Sequence, residues 1–292
     1  MTQPPLIAGL ELGGTKCVAL LASGPGDVRD RITVPTTNPV DTLAALEAVL
    51  DRWPFDAIGV ASFGPLQLDP DRADFGALTA TPKPGWSGTD VSRRFAERYG
   101  KPLSIQTDVN GAALAEARWG AARGMSTHVY ITIGTGVGVG TIVGGRPVQG
   151  VAHAEAGHMR IARRRGDGFA GACPFHQDCV EGLISGPALA ARFGVRGEDL
   201  PQDGPEWDLF VHDLAGLLHN LVTGFAPQRI SIGGGVIASR QHLFPRIREA
   251  LDDSIAGYGA FGGLGIEVGP PGLGDMAGPM GAIAMGLSAL DR

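Results

Sequence analysis

The strongest constraint on this 292-residue chain is a glycine turn between two apolar runs that occurs twice. Leu6–Leu12 and Cys17–Ala22 flank Gly13-Gly14-Thr15, while His128–Ile133 and Val137–Val143 flank Gly134-Thr135-Gly136. Short apolar runs broken by glycine read as paired buried strands. Their recurrence marks an internal duplication of one strand–turn–strand unit. The length exceeds what a single core usually organises, so two domains are expected.

The intervening pattern mixes strands and helices. Val28–Pro35 alternates like a third strand. Asn38 caps a helix with Pro39 in its first turn and Leu43, Leu46, Val49 and Leu50 on one face. Asp56–Ser62 and Leu103–Thr107 read as strands, Val91–Tyr99 as a helix stopped by Gly100, and Ala112–Ala122 as a helix. The second half holds an amphipathic helix, Trp207–Phe225, then a strand, Arg229–Ile232, followed by Gly233-Gly234-Gly235. Helices around Leu243–Ile255 and at Ala277–Leu290 complete it. The expected fold is α/β, with domains at 1–122 and 123–276. The Gly- and Ala-rich last helix, 277–292, is suited to packing back on the first domain. Two such domains would make a cleft, at which the three glycine clusters are expected to meet.

Composition excludes several classes. Hydrophobic residues at 43% and charged residues at 18% are globular values and exclude wholesale disorder. A net charge of −6 offers nucleic acid no electrostatic support. Met125–Gly145 is uncharged and of membrane-spanning length, but its six Gly and four Thr suit two strands around a turn better than a lipid-facing helix. No signal peptide is read in Met1–Lys16. Three cysteines, Cys17, Cys173 and Cys179, point to a reducing cytoplasm.

Phosphate binding needs outward-facing backbone N–H groups with no Cβ in the way. Gly13-Gly14-Thr15-Lys16 offers that together with a hydroxyl and an ammonium, and Gly134-Thr135-Gly136 offers it again. Lys16 reads equally as a phosphate contact or a solvated lysine at a strand start. Gly233-Gly234-Gly235 leaves a surface on which adenine or ribose can lie. Each cluster alone reads as a tight turn; two at duplicated positions, with the third, favour phosphate. No Walker A pattern occurs.

Cys173, His176 and Cys179 are spaced three residues apart, a pattern of soft ligands that suits tetrahedral zinc, with His158 as the fourth ligand. The metal would order a loop, 158–181, that has little apolar content. A Cys173–Cys179 disulfide, or two reduced cysteines beside an unrelated histidine, are the alternatives. Cys17 reads as a small core residue.

In order along the chain stand Leu10-Glu11-Leu12-Gly13-Gly14-Thr15-Lys16, Thr107-Asp108-Val109-Asn110, Ile133-Gly134-Thr135-Gly136, Glu155-Ala156-Gly157-His158 and Cys179-Val180-Glu181. Together they resemble the ROK family of bacterial sugar kinases, with the actin/hexokinase-like, duplicated ribonuclease-H-like fold. Ala80-Thr81-Pro82-Lys83-Pro84-Gly85-Trp86 and Glu181-Gly182-Leu183-x-Ser185-Gly186-Pro187, with the zinc-type loop, are similar to the fructokinases within it. Glu11 departs from the Asp common in the family, which keeps the carboxylate but lengthens its reach toward Mg²⁺.

The resemblance implies ATP-dependent phosphorylation of a hexose, D-fructose to D-fructose 6-phosphate, with a glucokinase, a mannokinase or a non-catalytic sugar sensor as alternatives. It places the catalytic base at Asp108, whose other reading is a helix N-cap. Asn110 either orients the sugar or caps the helix. Glu155, His158 and Glu181 carry over as sugar-hydroxyl ligands, against plain readings of Glu155 and Glu181 as solvated charges. His158 would serve both zinc and sugar. Gly64 either lets backbone approach the sugar or makes an ordinary turn. His153 fits the subgroup but reads as a surface or packing residue. The turns Gly13–Lys16 and Thr132–Gly138 would hold the ATP phosphates with Mg²⁺, and Gly233–Gly235 the adenosine. A homodimer is usual for this resemblance. With the first strand starting at Leu6, no added DNA-binding domain is expected.

Overall fold

The computed structural model describes residues 3–259 and 265–291. The expected domain ranges also include residues 1, 2, 260–264 and 292, which lie outside it. The chain divides into two compact units. One comprises 1–124, 147–154 and 275–292; the other comprises 125–146 and 155–274. Residues 147–154, expected in the second domain, thus pack with the first. The clasp is polar: the Gln149 amide donates to the Leu68 carbonyl at 2.6 Å, and His153 Nε2 accepts from the Leu66 N–H at 3.0 Å.

In the first unit β1 (Ile7–Leu12), β2 (Lys16–Gly24), β3 (Asp27–Pro35), β4 (Ala57–Ser62) and β5 (Leu103–Thr107) form one sheet in the order β3-β2-β1-β4-β5. β1 runs antiparallel to β2 and parallel to β4, and β4 runs parallel to β5. The second unit repeats the plan. Its strands are β6 (His128–Ile133), β7 (Val137–Val143), β8 (Arg146–Pro147), β9 (Arg229–Gly233) and β10 (Glu267–Gly269), in the order β10-β9-β6-β7-β8. β6 is antiparallel to β7 and parallel to β9, as β1 is to β2 and β4. The duplication legible in the two glycine turns therefore extends to the whole sheet.

Helices cover the sheets. In the first unit these are α1 (Pro39–Leu50), capped by Asn38, α2 (Val91–Tyr99), ended by left-handed Gly100, and α3 (Asp108–Trp119). In the second they are α4 (Val180–Ile184), α5 (Gly186–Phe193), α6 (Glu206–Phe225) and α7 (Phe244–Ile255). Helix α3 starts four residues before the expected Ala112. The Thr107 hydroxyl accepts from the Asn110 N–H at 3.3 Å and so caps it. Neither Asp108 nor Asn110 is the cap, which corrects both capping readings. Among the described residues, no helix is long and apolar enough to cross a membrane.

The final helix, α8 (Ala277–Leu290), packs on β1, β4 and α3 of the first unit. Glycine permits this close approach. A Cβ on Gly59 would lie 1.8 Å from the Ala282 carbonyl oxygen. Because backbone atoms on both sides cannot yield, Gly59→Ala is expected to cost about 1–3 kcal/mol or more. Urea unfolding checks this as a lowered midpoint.

Candidate active site

Sheet register assembles the first unit's polar edge. Leu12 pairs with Ser62, and Ser62 with Thr107, so three parallel strands end together. The chain leaves them as the Gly13–Lys16 turn, as Gly64-Pro65 and as Asp108. Carboxyl ends of parallel strands are where open α/β sheets place ligands. Asp108 is the first residue of α3; its Oδ1 accepts from the Val109 N–H at 2.9 Å, and the side chain is half-buried. The Asn110 amide donates to Gln106 Oε1 at 3.0 Å. His153, buried rather than on the surface, supports the backbone just after Gly64.

Glu11 stands near this edge. Burial first, then the like charge of Asp108, pushes its carboxyl up to about 7, while Lys16 and Arg31 pull the other way. A buried carboxyl beside a second acid favours a cation near it. The charge and oxygen donors suit Mg²⁺ carried by a nucleotide.

The Gly13–Lys16 turn is held from its carbonyl side. Gly13 N–H donates to Lys16 O at 3.1 Å, closing the hairpin. The Thr36 hydroxyl donates to Gly13 O at 2.7 Å, and Lys83 Nζ donates to Gly14 O. Neither Thr36 nor Lys83 stood out as a site residue, although Lys83 lies in the Ala80–Trp86 stretch.

The second unit's turn is built alike. Gly134 N–H donates to Gly136 O at 2.9 Å, and the Val137 N–H is taken by Glu181 Oε2 at 3.1 Å. Glu181 is therefore a half-buried carboxylate anchored on the glycine turn, not a freely solvated charge. Beside it, Gly157 packs so tightly that a Cβ would lie 1.8 Å from Val137 O, which seats the 156–158 turn and with it His158. Glu155 is exposed and begins this turn. At the end of β9, Gly234 takes a positive φ of 92° and Val236 N–H donates to Ile133 O at 3.0 Å. This brings Gly233–Gly235 beside the Gly134 turn.

His158, Cys173, His176 and Cys179 converge, their ligand atoms all within 4.8 Å of one another. His158 Nδ1 lies 3.5 Å from Cys179 Sγ and 3.8 Å from Cys173 Sγ, and His176 Nδ1 lies 3.9 Å from Cys173 Sγ. A tetrahedral zinc with about 2.0–2.3 Å bonds separates its ligands by roughly 3.4–3.8 Å, so the donor set fits. All three cysteines are thiols, which removes the disulfide alternative. Without a cation, burial pushes the Cys179 thiol above its ordinary value.

The loop also has a support the sequence did not reveal. Asp167 accepts from Arg163 at 2.6 Å and Arg192 at 2.5 Å, and Arg192 also reaches Asp213 at 2.8 Å. Asp178, next to Cys179, pairs with Arg160 and with Arg163. Burial disfavours the Asp167 carboxylate, but the bonds from Arg163 and the Phe169 N–H and the charge of Arg192 outweigh it and hold its carboxyl below the usual range. These ion pairs order the loop independently of any metal.

A repeated five-stranded α/β sheet, each with a glycine hairpin at its ligand edge, defines the two-domain actin/hexokinase-like class. The ROK family profile matches residues 7–288. A fructokinase from Pediococcus pentosaceus is 41% identical over 285 residues, 98% of this chain and 99% of that one. The ROK hexokinase from Thermus thermophilus superposes with a TM-score of 0.80 at 28% identity, covering 98% of this chain and 100% of that one. A ROK family glucokinase from Streptomyces griseus, in complex with glucose and AMPPNP, gives 0.77 at 25% identity, with 97% and 99% covered. The chain belongs to the ROK family.

The Glu11 shift has a definite sign. Its folded value of about 7 exceeds the ordinary 4.5, so the folded protein retains a proton that the unfolded chain releases. Stability therefore falls as pH rises through that window, in cation-free protein. Glu11→Gln is expected to flatten this fall and to melt above wild type at pH values beyond 7, as thermal unfolding across pH would record.

Proposed function

We propose that this protein is an ATP-dependent hexose kinase whose substrate is D-fructose and whose product is D-fructose 6-phosphate. The carrying observation is the placement of Asp108 and the Gly13–Lys16 donor turn on the same edge of the first sheet by strand register. The relative named fructokinase supports the choice of sugar, because its likeness spans nearly the whole chain.

A sugar hydroxyl is a weak nucleophile and loses its proton as it attacks the γ-phosphoryl group. Asp108 accepts that proton, and the half-buried site keeps the carboxylate within the reacting region. Backbone N–H groups of the Gly13–Lys16 and Gly134–Gly136 turns neutralise phosphate charge. Glu155, His158 and Glu181 accept sugar hydroxyls, with Asn110 and the Gly64 backbone completing the sugar contacts. Glu181 has Oε2 on Val137 N–H, which leaves Oε1 for the sugar. Gly233–Gly235 receives the adenosine. Mg²⁺ with the nucleotide, beside Glu11, supplies charge neutralisation on the transferred group. His158, Cys173, His176 and Cys179 would hold a zinc whose part is structural, and with His158 Nδ1 turned toward the two thiols its Nε2 is left for the sugar. The protein works in the cytoplasm as a homodimer, without nucleic acid or membrane.

A coupled assay across fructose, mannose, glucose and N-acetylated hexosamines tests the assignment, with fructose expected to give the highest kcat/KM. Preference for glucose would move the chain to the glucokinase reading. Turnover absent with every sugar would favour a sensor. Asp108→Asn should lower kcat by ~10²–10⁴-fold while both ligands still bind. Purified protein should carry one zinc per chain, and Cys173→Ala should lose it together with fructose affinity. Metal analysis and calorimetry on one sample read both.

A further inference from the structure

We infer that Thr36 and Lys83 are positioning residues for the nucleotide phosphates, each setting one of the two peptide planes that form the donor face of the Gly13–Lys16 turn. The inference rests on the kinase reading above. The hairpin loop consists of Gly14 and Thr15, since Leu12 pairs with Cys17 and Gly13 N–H closes on Lys16 O. Every carbonyl of the turn is occupied. Gly13 O accepts the Thr36 hydroxyl at 2.7 Å, Gly14 O accepts Lys83 Nζ, Thr15 O accepts Thr36 N–H at 2.9 Å, and Lys16 O accepts Gly13 N–H.

In a trans peptide the carbonyl and the following N–H point to opposite sides. Drawing Gly13 O toward Thr36 turns the Gly14 N–H away from it. Drawing Gly14 O toward Lys83 does the same for the Thr15 N–H. Among the described residues, neither N–H has a protein acceptor. A Cβ at Gly14 would meet nothing within 4 Å, so no other side chain crowds the turn at that point.

Both orienting groups are themselves fixed. Thr36 is buried, and because its hydroxyl proton is used on Gly13 O, the Cys17 thiol donates to Thr36 Oγ1 at 3.3 Å. Lys83 Nζ also reaches Thr36 O at 3.4 Å. Its loop is anchored by Trp86, a fully buried indole that donates to Thr37 O at 2.8 Å and packs edge-on against Phe63. Lys83 therefore acts on the phosphates through a peptide, whereas the Lys16 side chain is exposed at the start of β2.

Calorimetric titration of full-length wild type, Thr36→Val, Thr36→Ser, Lys83→Met and Lys83→Arg with adenosine, ADP and AMPPNP tests this. Thr36→Val and Lys83→Met should each weaken ADP and AMPPNP about ten-fold while adenosine affinity stays at the wild-type value. Thr36→Ser and Lys83→Arg, which keep the donors, should recover most of the loss. Equal weakening of adenosine, or unchanged ADP and AMPPNP binding in both donor-deleting variants, overturns the assignment. Wild-type protein that binds no AMPPNP removes the kinase reading, and this inference with it.

Discussion

The first unit depends on the in-register parallel pairing of β1, β4 and β5. Leu12, Ser62 and Thr107 lie in one row across the sheet, so three chain exits open on the same edge. A slip of one residue would move each side chain to the opposite face. Glu11 would then exchange places with a buried leucine on either side. The antiparallel partner β2 fixes the remaining element, because pairing Leu12 with Cys17 leaves a loop too short to turn any other way. The small-residue seam under α8 holds the sheet in this register from one side.

Charge at that edge is arranged against itself. Burial and the charge of Asp108 raise the cost of ionising Glu11 beyond what Lys16 and Arg31 offset, so added positive charge there would favour its carboxylate. A divalent cation would bring such charge, and the hairpin beside it presents backbone N–H groups. In the second unit the same hairpin serves a different partner. One oxygen of Glu181 holds the turn, and Glu181 follows Cys179 by two residues, so the Cys/His cluster, this carboxylate and the second glycine turn adjoin. The buried Asp213–Arg192–Asp167 relay stiffens that arrangement from the side away from the metal. Buried ion pairs are weak sources of net stability, but they specify one geometry when all partners are present.

Much of this was legible in the residues. The two glycine turns announced the duplication because a hairpin's two-residue loop and its flanking apolar strands are local features. Cys173, His176 and Cys179 announced a metal-type cluster because three of four ligands lie within one loop. The start of α3 was misread by four residues, since Asp108 and Asn110 are good capping types and Thr107 looked like the end of a strand. It is both. The sequence left His153 open between a surface and a packing role because nothing near it in sequence is its partner; it packs, and Leu66 lies 87 positions away.

By itself the sequence determined the repeat, the strand–turn–strand units, the donor types at each turn and the Cys173, His176, Cys179 spacing, all properties of neighbouring residues. Tertiary structure alone decided which carbonyls Thr36 and Lys83 would hold, that Glu181 would anchor a turn 44 residues earlier, and that Arg192 would tie the metal loop to α6. Those contacts join side chains far apart in sequence, and their partners are chosen by sheet register and helix packing, which no local pattern encodes.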